Sequence, residues 1–144
     1  MAKLEVIHQS EMAECGLACM AMLSNYYGYN CTLAELRKEY KVSSSGLTLE
    51  SIVSIANDLK FSVRPLRAEI KHLQDIKLPC ILHWNMNHFV VLKSIKQKEV
   101  IIHDPARGAV SVSFDELDKS FTGVALELLP NIDFEEKIEK KTFS

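Results

Sequence analysis

No stretch of this chain approaches the roughly 18 to 20 consecutive apolar residues of a membrane-crossing helix. The start, Met1-Ala2-Lys3-Leu4-Glu5-Val6, has no apolar run of signal-peptide length. These absences lead us to expect a soluble domain facing the cytosol. No tract of more than two consecutive basic residues occurs, and the formal net charge is −2. That removes the electrostatic case for nucleic acid or an anionic membrane as partner. The four cysteines, at 15, 19, 31 and 80, form no Cys-x-x-Cys pair. Without a secretory signal they are expected to be reduced thiols rather than disulfides. No second close Cys or His pair completes a zinc-type ligand set, so neither metal nor cofactor is expected. No Gly-x4-Gly-Lys-Ser/Thr loop is present to cradle a nucleotide, and there is no internal repeat.

What is present suits a single domain. The 144 residues are 47% hydrophobic and 25% charged, ordinary for a globular chain with a sizeable core. From Glu14 to Tyr27 the apolar residues surround the helix instead of forming one stripe, which predicts a buried helix. Gly28 suits its C-terminal cap. Thr32 with Glu35 forms a capping box for a short helix to about Tyr40. After the Ser43-Ser44-Ser45-Gly46 loop, a third helix opens near Thr48 and carries Leu49, Ile52, Val53 and Ala56 on one side.

The second half reads as strands: Phe61–Leu66, Pro79–Trp84, His88–Lys93, Glu99–His103, Gly108–Ser113 and Val124–Leu129, the last closing the sheet. A helical turn at Ile70–Gln74 and a helix at Phe114–Ser120 interrupt them. Helices first and antiparallel strands second predict an α+β fold, a helical half packed on a sheet. The folded unit is expected to span residues 1–130. The charged segment 131–144, with no packing stripe of its own, is expected to be a linker.

Cys15 falls at the start of the buried helix, where backbone N–H groups and the helix dipole favour a thiolate. Gly16 beside it would let a substrate backbone approach. A thiol nucleophile needs a base, and the base needs an orienting group. A short loop at Ile95-Lys96-Gln97 would set Leu92 opposite Val100, Val90 opposite Ile102 and His88 opposite Asp104. Directly opposed side chains lie about 4.5–5.5 Å apart at Cβ, within reach of a His–carboxylate hydrogen bond. In that register the pair would crown an apolar face turned toward the helices, with His103 pointing the other way beside Phe89. A two-residue loop would shift the register by one and part the pair. His83 reads as a core or rim residue, and His8 and His72 have no carboxylate that spacing can assign. Gln9, six residues before Cys15, could join the Cys15 N–H in holding an oxyanion.

Together, Gln-x5-Cys-Gly at Gln9–Gly16, His88-Phe89-Val90-Val91 and Asp104-Pro105 resemble a known family. It comprises the papain-like peptidase domains at the N-terminus of bacteriocin-processing ABC exporters, the double-glycine leader peptidases. The stretch from Gln9 to Cys19 is most similar to exporters of the colicin V type. The resemblance covers about residues 4–130. It implies Cys15 as nucleophile, His88 as base, Asp104 as orienting acid and Gln9 as oxyanion donor. It further implies cleavage after a Gly-Gly or Gly-Ala pair ending the leader of a bacteriocin or microcin precursor. The implied setting is the cytoplasmic face of the inner membrane, with transmembrane and nucleotide-binding domains of the same exporter as partners. Two other readings stand beside it. Haemolysin-type relatives keep the fold without the cysteine and only dock cargo; retention of Cys15 argues against that. A papain-like amidase or acyl transferase is countered only by the Gln9 spacing and the family match.

Overall fold

The first helix is the centre on which the rest is laid. In a computed structural model, which describes residues 3–138, a 3-10 turn at Met12–Glu14 leads into α1, Cys15–Tyr26. Every residue from Cys15 to Ser24 is buried, as the all-round apolar sequence requires. Each large side chain so buried contributes about 1.5–3 kcal/mol. Two shorter helices flank it: α2, Leu33–Glu39, and α3, Leu49–Asp58. The expected capping box closes α2, with Thr32 Oγ1 accepting the Glu35 N–H at 3.1 Å and Glu35 Oε1 accepting the Thr32 N–H at 2.9 Å. Thr48 Oγ1 caps α3 by accepting the Ser51 N–H.

Six strands follow: β1 Phe61–Arg67, β2 Cys80–Trp84, β3 His88–Ile95, β4 Glu99–Asp104, β5 Gly108–Ser113 and β6 Phe121–Pro130. A 3-10 turn, Ile70–Asp75, precedes β2, and α4, Phe114–Ser120, precedes β6. The strands form one antiparallel sheet in the order β1-β6-β2-β3-β4-β5. The α+β expectation therefore holds, but β6 does not close the sheet. It returns to the interior, between β1 and β2.

Both faces of the sheet are buried. On one, Phe89, Val91, Ile81, Leu126 and Leu128 pack with α1, α2 and α3. On the other, Val90, Leu92, Val100, Ile102 and Val112 pack with Leu73 and with Leu117 of α4. This corrects the sequence reading: the face that carries Val90, Leu92, Val100 and Ile102 is turned toward α4, away from the helical half. His103 pairs with Val91, not Phe89, and so belongs to the face covered by α1.

The β3–β4 register also differs from the expected one. At the hairpin end Ile95 pairs with Val100 and Ser94 with Ile101, whereas further on Leu92 pairs with Ile102 and Val91 with His103. One strand residue, Lys93, is taken up by a bulge in between. Asp104 then stands opposite Val90, two residues along from His88. Without the bulge Asp104 would face Val91, and its side chain would leave the sheet on the side opposite to His88. The bulge restores the parity that lets the two meet diagonally.

Residues 131–138 run back along the helical side. Phe134 packs against Phe61 and Tyr29, with ring centroids 5.1 and 6.4 Å apart. The Lys137 N–H donates to Gly28 O at 3.0 Å, and Lys137 O accepts the Asn30 N–H at 2.8 Å. The segment expected as a charged linker is thus laid on the domain at least to residue 138, and residues 139–144 lie outside the described part.

Candidate active site

Three segments meet at one rim of the sheet, beyond the N-terminal end of α1. The first carries Cys15 at the first position of α1. Its neighbour Gly16 is tightly packed: a Cβ there would lie 3.0 Å from Ile52 Cδ1 and 3.1 Å from Leu47 Cδ1, so those side chains would have to give by a few tenths of an ångström. Gly16 thus makes close contact with the α3 region.

The second segment is the β2–β3 turn. Asn85 and Met86 both adopt positive φ, 48° and 70°, a conformation that asparagine tolerates and methionine disfavours. External contacts hold it. The Asn85 N–H donates to Ser120 O at 2.7 Å, and His83 Nε2–H donates to Met86 O at 2.7 Å. His83 Nδ1 lies 2.8 Å from Thr122 Oγ1. His83, read from sequence as core or rim, thus braces the turn that launches His88. No local spacing could have shown this, because Thr122 comes from β6.

The third segment is the end of β4. Asp104 is 2% exposed. Its Oδ1 accepts from His88 Nε2 at 2.6 Å and from the Ala106 N–H at 2.8 Å. With Nε2 committed to Asp104, Nδ1 is the ring nitrogen left for sulfur, and the Cys15 thiol lies within hydrogen-bonding reach of the imidazole. Burial works against a charged His88, but the Asp104 carboxylate and the Cys15 sulfur outweigh it and raise its pKa to about 9. Burial likewise opposes ionised Asp104, yet the bonds from His88 and the Ala106 N–H hold it below the ordinary carboxylate range. The pair therefore sits as imidazolium and carboxylate at neutral pH, a ready counter-charge for a sulfur anion.

The other thiols differ. Burial pushes Cys19 well up, with Cys15 and Asp104 adding to the effect. Burial, with nearby carboxylates adding to it, raises Cys80 to about 12 and Cys31 to about 11.

Gln9 joins the same rim. Its N–H donates to Pro105 O at 2.9 Å, tying the approach to α1 to the Asp104-Pro105 loop. Its side-chain oxygen is buried with no hydrogen-bond partner. Gln9, Met12, Trp84, Asn87, His88 and Asp104 line a cleft of about 410 Å³. Cys15 is 3% exposed and lies behind His88 instead of lining the cleft itself. A larger hollow, about 570 Å³ between Ala68–Lys71 and Phe121–Gly123, contains neither thiol nor histidine. Of the residues expected from sequence, Cys15, His88 and Asp104 are thus brought together and Gln9 lies on the same cleft. His8 stands over Gly108, where a Cβ would be 3.3 Å from its ring, and His72 lies within the 3-10 turn before β2.

A thiol at the start of the central buried helix, on a sheet that supplies histidine and carboxylate, is the arrangement of a papain-like cysteine peptidase. Comparison with known proteins narrows the class. The chain belongs to the Peptidase C39 family, whose model matches residues 3–133. It is 47% identical over 133 residues to the colicin V secretion/processing ATP-binding protein CvaB of Escherichia coli, covering 92% of this chain and 19% of that protein. It is 45% identical over 132 residues to the probable microcin-H47 secretion/processing ATP-binding protein MchF, also of Escherichia coli, with the same coverage. The chain thus spans about a fifth of the length of these curated relatives. Among solved structures it resembles a double glycine motif protease from an AMS/PCAT transporter in complex with the leader peptide. That likeness has a TM-score of 0.85 at 40% identity and covers 90% of this chain and 94% of that one. It also resembles the peptidase domain of Streptococcus ComA, a bifunctional ABC transporter, with a TM-score of 0.82 at 27% identity, covering 90% and 100%. Among the described residues no helix is long and apolar enough to cross a membrane.

Proposed function

We propose that this domain hydrolyses the peptide bond after a Gly-Gly or Gly-Ala pair and so removes the leader from a bacteriocin or microcin precursor during export. The observation that carries the reading is the His88 Nε2–Asp104 hydrogen bond at 2.6 Å, which leaves the other ring nitrogen for the Cys15 sulfur that helps hold the imidazole protonated. With His88 held as imidazolium, Cys15 attacks as the thiolate, and sulfur bonds to the carbonyl carbon of the second small residue. The oxyanion takes hydrogen bonds from the Cys15 N–H and the Gln9 side-chain amide. The C–N bond breaks as His88 returns its proton to the leaving amine. Water then attacks the thioester, frees the leader as a carboxylate and restores the thiol. Asp104 fixes the imidazole tautomer. The burial of Cys15, with only 3% of it exposed, supports glycine-sized residues next to the scissile bond.

The remaining assignments rest on the relatives. The partners are the leader peptide and the transmembrane and nucleotide-binding parts of an ABC exporter. The place of work is the cytoplasmic face of the inner membrane. The peptidase unit is residues 1–130 with 131–138 packed along its helical side, the start of the connection toward the transmembrane part. Incubation with a synthetic leader ending in Gly-Gly plus a short cargo segment, read by mass spectrometry, tests the reaction. One cut after the second glycine is expected; an intact peptide, or cuts scattered along it, overturns the proposal.

A further inference from the structure

One buried charge next to the thiol has no part in the chemistry above. Glu14, immediately before Cys15, is 4% exposed. Its Oε1 accepts the N–H groups of Ser10 and Glu11, each at 3.1 Å, and Arg37 Nη2–H at 3.1 Å. Its Oε2 is paired with Arg37 Nε, so the guanidinium grips both oxygens. Arg37 comes from α2, and its side chain is 46% exposed. The Glu14 carboxylate therefore closes the Ser10–Glu14 turn on itself and fastens it to α2. That turn is what separates Gln9 from Cys15.

A buried carboxylate is costly unless it is paired, and one beside a nucleophilic sulfur also opposes the sulfur's own negative charge. A sequence that needed only a helix start could place Ser or Asn there at less cost. We propose that Glu14 and Arg37 are positioning residues for the peptidase reaction: the carboxylate clamps the Gln9–Cys15 turn so that thiol and oxyanion donors keep their spacing, and Arg37 cancels its charge. This inference rests on the thiol-peptidase reading of the same site. Cys15 faces His88 from β3 and Cys19 on α1, with Asp104 from β4 bonded to His88; Glu14 precedes it in the chain, and Arg37 from α2 is paired with Glu14. Arg37 is the one of these with a permanent positive charge.

The test compares Glu14→Ala, Glu14→Gln and Arg37→Gln by leader-cleavage kinetics and by the pH dependence of Cys15 alkylation with iodoacetamide. Misplacement by about 1 Å costs on the order of 10²-fold, so Glu14→Ala is expected to lose about 10- to 100-fold in kcat with KM within about threefold. Glu14→Gln keeps an acceptor for both turn N–H groups and should recover most of that loss. Arg37→Gln leaves the anion uncancelled and should move the midpoint of Cys15 alkylation up by about half a pH unit or more. Equal kcat in folded Glu14→Ala and Glu14→Gln, a loss confined to KM, or an unmoved midpoint in Arg37→Gln overturns the clamp. Should Glu14→Ala not fold, Glu14→Gln and Arg37→Gln decide alone. Alkylation needs no peptide substrate, so the readings separate. Wild type that leaves the leader intact, yet shows an Arg37-dependent alkylation midpoint, overturns the leader reading and supports the clamp.

Discussion

The two ends of α1 obey different rules. From Leu17 to Ser24 the helix is enclosed by apolar packing, and its Cys19 thiol is held protonated by burial. At the other end, one turn away, Cys15 borders a rim rich in hydrogen bonds from side chains to backbone. There Glu14 grips the Ser10–Glu11 backbone, His83 holds Met86, and Asp104 binds both His88 and the Ala106 N–H. Met86 even takes a backbone conformation its side chain disfavours. The interior of the helix supplies rigidity, and the rim spends part of it on local strain and buried charge. Two thiols of one sequence motif thus differ in chemistry because one is packed and the other is wired.

Substitutions at the two ends should break the molecule in different ways. Cys15→Ala is expected to remove cleavage altogether, a loss of about 10⁴-fold or more, while the domain melts as wild type and still binds a leader peptide. Kinetics with a Gly-Gly leader and thermal denaturation would show it; residual turnover would move the nucleophile elsewhere. Asp104→Asn keeps the shape but frees the imidazole tautomer, and should cost about 10²- to 10⁴-fold in kcat. A variant that simply unfolds would make Asp104 a structural turn residue. Leu23→Ala, at the packed end, should do the opposite. It is expected to cost about 2–5 kcal/mol of stability with turnover per folded molecule unchanged. Denaturant unfolding and active-site titration separate the two effects.

The smallest effect is on pH. His88 has its folded pKa raised to about 9, so its bond to Asp104 adds stability that is full below about 6.5, the unfolded histidine value, and is lost as pH rises through about 9. Asp104 is shifted down, so its share is present above about 3.9 and is lost as pH falls through its lowered value. His103 acts in another sense: burial first, then Lys93, keeps it below the usual histidine range, and folding loses stability as pH falls through that range. The difference in unfolding free energy between wild type and His88→Gln cancels His103. It should be flat from about pH 5 to 6.5 and decline toward pH 9. A difference that grows with pH would contradict the ion pair.

The contrast also explains what the sequence could reveal. The packed end was legible: unbroken apolar coverage from Cys15 to Leu23 leaves no alternative to a buried helix, and Thr32 with Glu35 marks the next start. The rim was legible only as a set of residues. Alternation along β3 and β4 is blind to a slip of two residues, because side chains keep their face, and it is silent about the bulge at Lys93. Nor could it say which face meets the helices, since Phe89–Leu92 are all buried and the strand has no polar side. The bracing roles of His83 and Glu14 are not legible in the sequence, because Thr122 and Arg37, which give them meaning, are brought near by the fold alone.

The central claim, that one end of α1 is wired for chemistry and the rest only packed, is tested most directly by the alkylation rates of the four cysteines. Iodoacetamide labelling between about pH 5 and 10, mapped by peptide mass spectrometry in wild type and His88→Gln, gives them separately. The account predicts that Cys15 labels first, with substantial reaction well below about pH 8. Cys19, Cys31 and Cys80 should lag by about 10²-fold or more, and His88→Gln should slow Cys15 alone. Equal rates for all four thiols, or a Cys15 rate indifferent to His88, would contradict it.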